Sequence, residues 1–67
     1  MTLIAQAGKL ADDLRRRADK GGLSPDQVFL GKQADQALRL ATRCEWKRDM
    51  NKHIRHAIYL LEEALQQ

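Results

Sequence analysis

The chain lacks most of what usually holds a very small domain together. It has one cysteine, Cys44, so no internal disulfide can form. That usage fits a reducing compartment, and Cys44 reads as a small core hydrophobe. Aromatics are limited to Phe29, Trp46 and Tyr59, so any core must be built of Leu, Ile and Ala. The longest uninterrupted apolar run, Ala57 to Leu61, falls far short of the roughly 20 residues that cross a bilayer. The N-terminal MTLIAQAGKLADD has neither the basic start nor the long apolar segment of a secretory signal. A cytoplasmic location and no membrane partner are the expectation.

Chemistry is also sparse. There is no glycine-rich phosphate loop. The lone serine, Ser24, is committed to a helix cap, and the lone thiol has no orienting pair at telling spacing. A chain of 67 residues is too short to enclose a deep pocket by itself. Neither catalysis nor a cofactor is expected. His53 and His56 are spaced i, i+3, with Asp49 one turn earlier, but the second ligand pair of a zinc signature is missing. No metal site is expected.

What is present is helical. At 43% hydrophobic and 31% charged residues, the composition is that of a folded, soluble unit, and the length allows one domain over residues 1–67. No stretch alternates in the β manner, and β-branched residues are few. Leu3, Ala7, Leu10, Leu14 and Ala18 define a first helix over about 3–20. Asp12–Arg16 and Asp13–Arg17 stand at i, i+4 in the favourable order, and Gly21-Gly22 ends the helix. The segment LSPDQV opens a second helix, over about 25–45. Ser24 is the N-cap, Pro25 the first helical residue, and Gln27 the return arm of a capping box, with Leu23 placed to staple onto Val28.

Leu30, Gly31, Ala34, Ala37, Leu38 and Ala41 form a low-relief apolar face on this helix, with Phe29 and Leu40 to one side. So wide an apolar arc belongs either to the central helix of a bundle or to a self-association surface. Since so short a chain buries little core, those six residues are expected to join two copies into a homodimer.

Met50, Ile54, Ala57, Ile58, Leu61 and Leu65 lie on one face of a third helix, over about 50–66. No Gly or Pro separates it from the second. Phase does: at ~100° per residue its face lies about 150° from the main face of the second helix. One straight rod would point the two faces apart. A break between Glu45 and Asn51, with Asp49 or Asn51 as cap, brings both inward. The expected fold is therefore an all-α three-helix bundle.

Two partner classes remain. Arg48, Lys52, Arg55 and Tyr59 stand at i, i+4, i+7 and i+11, one stripe on the third helix. Trp46 lies just before it, and Arg15, Arg16 and Arg17 form a second basic run. Trp, Tyr and Arg dominate protein interfaces, and a net charge of +3 favours an acidic surface. These residues are the expected contacts of a protein-binding adaptor, inhibitor or regulator. The alternative is a nucleic-acid-binding regulator. It would use the third helix, or the ADKGGLSPDQVFLG segment, whose Ala18, Gly22, Leu23 and Val28 spacing is like a helix-turn-helix. That match fails at Arg17, Gly21 and Gly31, and Asp26 would oppose phosphates. Glu45 and Asp49 are also placed to pair with Arg48 and Lys52, which would make the stripe a salt-laced solvent face.

Overall fold

The computed structural model describes residues 2–67 and contains α1 (Leu3–Gly21), α2 (Pro25–Arg43) and α3 (Lys47–Leu65). No strand occurs among the described residues. Thr2 caps α1, its Oγ1 accepting from the Ala5 N–H at 3.2 Å. Gly22 closes it at φ +79°, a conformation that favours glycine for want of a Cβ. The capping box of α2 forms in both directions. Gln27 N–H donates to Ser24 Oγ at 3.2 Å, and Ser24 N–H donates to Gln27 Oε1 at 2.9 Å.

The break between α2 and α3 falls earlier than the sequence pattern implies. α2 stops at Arg43, and Cys44 to Trp46 make the corner. Asp49 and Asn51 are therefore inside α3 and cap nothing. Cys44 is half-buried at the C-cap instead of in the core, its thiol donating to the Leu40 carbonyl at 3.2 Å. The corner nevertheless does what the phase argument requires, turning both apolar faces inward.

The core is thin and rich in alanine. Ala7, Ala34, Ala37, Ala41, Ala57 and Ala64 are buried with Leu14, Ile54, Ile58 and Leu61. Small side chains let helix axes approach closely, and α3 packs against both α1 and α2. This corrects the expected self-association face. Ala34, Ala37 and Ala41 are buried inside the chain, while Leu30, Gly31 and Leu38 are half-buried beside them. Leu30 and Leu38 pack onto that core, and a Cβ built on Gly31 would lie 3.2 Å from Leu14 Cδ2. Those six residues are taken up by the chain's own bundle, while Phe29 and Leu40 stay exposed beside them.

α1 and α2 each pack chiefly on α3 and meet one another more lightly. Ile4 and Gly8, near the start of α1, share a groove with Leu38, Ala41 and Thr42, near the end of α2.

Gln27 has a second role that its capping position does not reveal. It is buried, and its Nε2 donates to the Ala64 carbonyl at 3.0 Å and to the Gln67 main-chain oxygen at 3.3 Å. The last carbonyls of a helix have no partner within it, and Gln27 supplies one from the first turn of α2, at the same end of the bundle. Gln27→Ala removes the return arm of the capping box and leaves the Ala64 carbonyl buried without this donor. The expected cost is about 2 kcal/mol, read as a lower urea midpoint by far-UV circular dichroism. A loss below about 0.5 kcal/mol would mean that water replaces the latch.

Candidate docking surface

Ile54, Ala57, Ile58 and Leu61 anchor one side of α3 in the core, which fixes the opposite side toward solvent. Arg48, Lys52, Arg55 and Tyr59 all lie on that outer side and are exposed, Tyr59 at 61%. The stripe spans about 16 Å of helix on a rigid support.

The acidic neighbours do not quench it. Among the described residues the one side-chain ion pair is Arg16 Nη1 to Asp13 Oδ1, at 4.0 Å on α1. Neither Glu45–Arg48 nor Asp49–Lys52 forms. Glu45 lies in the corner, where helical i, i+3 spacing no longer applies. Asp49 occupies the first turn of α3, where an acid is held favourably by the unpaired N–H groups of the helix start.

The arginine run of α1 does not extend this surface. Consecutive helical residues fan out by ~100°, and each arginine meets a different environment. Arg15 lines the groove between α1 and α2 with Val28, Lys32 and Asp35. Arg16 points to solvent beside Asp13. Arg17 Nη1 donates to the Gln67 main-chain oxygen at 3.5 Å, next to the Gln27 latch. The expected Asp12–Arg16 and Asp13–Arg17 pairs are absent for this reason. Only one of the two predicted basic groups is a contiguous face.

Trp46 is the unusual residue. It is 72% exposed and so does not plug the end of the bundle. It also occupies the N-cap of α3 and makes no side-chain capping bond. Ser, Thr, Asp and Asn are strongly preferred there, and the next two residues, Lys47 and Arg48, put positive charge against the positive end of the helix dipole. A side-chain N-cap bond forms at the starts of α1 and α2 and fails at the start of α3. Breaches of this kind concentrate where a surface is kept for function.

His53 is half-buried and His56 exposed. Among the described residues no three His, Cys, Asp or Glu side chains converge as a metal-binding group. None of the helices is long and apolar enough to cross a membrane. The molecule is thus a small all-α bundle bearing one basic, aromatic-tipped helical face. No protein-family model, curated protein or solved structure matches the chain, so the functional reading rests on that face.

Proposed function

We propose that this chain is a non-catalytic protein-binding module that docks an acidic protein surface through the outer face of α3. Trp46 and Tyr59 are the apolar anchors, and Arg48, Lys52 and Arg55 form the cationic surround. The observation that carries this reading is Trp46: a large aromatic, exposed, at a helix start where a capping residue would serve stability better. A buried aromatic in a partner pocket is the usual source of binding energy. Charges around it speed encounter and exclude wrong partners.

Trp46 is the only tryptophan, so its emission reports docking directly. Proteins captured by the tagged chain from nuclease-treated lysate are identified, and the most abundant is purified. Titrating it onto the chain is expected to shift Trp46 emission to the blue. Changing Arg48, Lys52 and Arg55 together to glutamate is expected to weaken binding roughly 10- to 100-fold, mainly by slowing association. Capture that disappears with nuclease, or binding that ignores both the triple variant and Trp46→Ala, would contradict the assignment. The nucleic-acid alternative predicts the first of these outcomes, with a steep fall in affinity as salt rises.

A further inference from the structure

We propose that a second copy of this chain docks on the outer face of α2, with the two α2 helices antiparallel about a two-fold axis. The face is distinct from the core side that the bundle consumes. Asp26, Phe29, Gln33, Gln36, Leu40 and Arg43 share one exposed stripe of α2, with Phe29 61% and Leu40 50% exposed. Their spacing alternates three and four, the lane of a coiled-coil seam, and it reads the same from either end.

That symmetry decides the occupant. Reversing a copy of α2 onto itself sets Asp26 against Arg43 of the other copy, Phe29 against Leu40, and Gln33 against Gln36. Acid meets base, apolar meets apolar, and amide meets amide, each twice, as an isologous interface requires. A shallow depression lined by Gln36, Arg39, Leu40 and Arg43 lies where the second Phe29 would sit, and a guanidinium beside an aromatic ring is itself favourable. The α3 face is less suited to this role. The same reversal there sets Lys52 against Arg55 of the other copy, like charges at the centre of the contact.

The surface area agrees. The chain exposes 5142 Å², whereas a self-contained globular protein of 7.7 kDa is expected to expose roughly 4,300 Å². The chain therefore carries more exposed surface than a self-contained unit of its mass, Phe29 and Leu40 on α2 among it.

Sedimentation equilibrium on the full chain tests this, with far-UV circular dichroism to confirm that each variant folds. The wild type is expected to reach the mass of two 7.7 kDa chains at micromolar concentration. Leu40→Glu is expected to weaken the dimer by roughly 100-fold with helicity intact. Asp26→Arg and Arg43→Asp alone each set like charges opposite one another and are expected to be monomeric. Mixing these two variants restores both opposite-sign pairs, so a heterodimer is expected. A wild type of one chain's mass up to about 1 mM, far above the range of specific interfaces, would overturn the proposal. So would a dimer that Leu40→Glu leaves intact, or variants that fail to associate on mixing while each remains folded.

Discussion

Leu61→Ala is expected to remove about 3–5 kcal/mol of stability, a large share of the roughly 3–10 kcal/mol that ~0.05–0.15 kcal/mol per residue gives a chain of this size. Leu61 is only 2% exposed and lies on the central helix. Its core neighbours include Ala34, Ala37, Ala57 and Ala64, with Leu14 the one large buried residue in the same cluster. Alanines have no side-chain reach with which to collapse into a vacated space, so any closure falls to the half-buried leucines around the cluster, such as Leu10, Leu30 and Leu38. The loss should fall within the range for such truncations. The measurement is a urea titration followed by far-UV circular dichroism at fixed protein concentration, because Trp46 is already exposed in the folded chain and reports unfolding poorly. A cost under about 1 kcal/mol would mean that the helices close up around the gap and that the alanine-rich core is not rigid.

Trp46→Ser should separate stability from binding, moving them in opposite directions. Serine at this N-cap can accept from the N–H groups of the first turn of α3, which Trp46 does not do. The expected gain is about 1 kcal/mol, seen as a higher urea midpoint. The same change deletes the aromatic anchor of the proposed interface. Affinity for the captured acidic partner should fall by about 100-fold or more, the size of a hot-spot truncation. A variant that is both more stable and binding-competent would show that Trp46 is a tolerated poor cap and not an anchor. A variant that is less stable would show that the indole packs usefully on the end of the bundle despite its exposure.

The local signals of α1 and α2 were legible because short-range chemistry sets them. Ser24, Pro25 and Gln27 specify a helix start through bonds within a few residues of each other, and Gly22 supplies a backbone angle that other residues resist. The exposure of Arg48, Lys52, Arg55 and Tyr59 was legible for a related reason. Once Ile54, Ala57, Ile58 and Leu61 face inward, helical periodicity leaves the stripe only one direction. The corner at Cys44 to Trp46 was harder to place. It contains no glycine or proline, and the residues best suited to cap it, Asp49 and Asn51, were passed over for a tryptophan.

The sequence by itself determined the number of helices, their inward faces and the rigid outer stripe of α3, because capping chemistry and a 3.6-residue period act along the chain. Only the tertiary structure decided which helix covers the small residues of α2, and that the three arginines of α1 diverge. It alone placed Gln27 across the bundle on the last turn of α3. Those outcomes depend on which segments distant in the chain come to lie against each other. An apolar stripe states that it must be covered; the arrangement of the whole bundle decides by what.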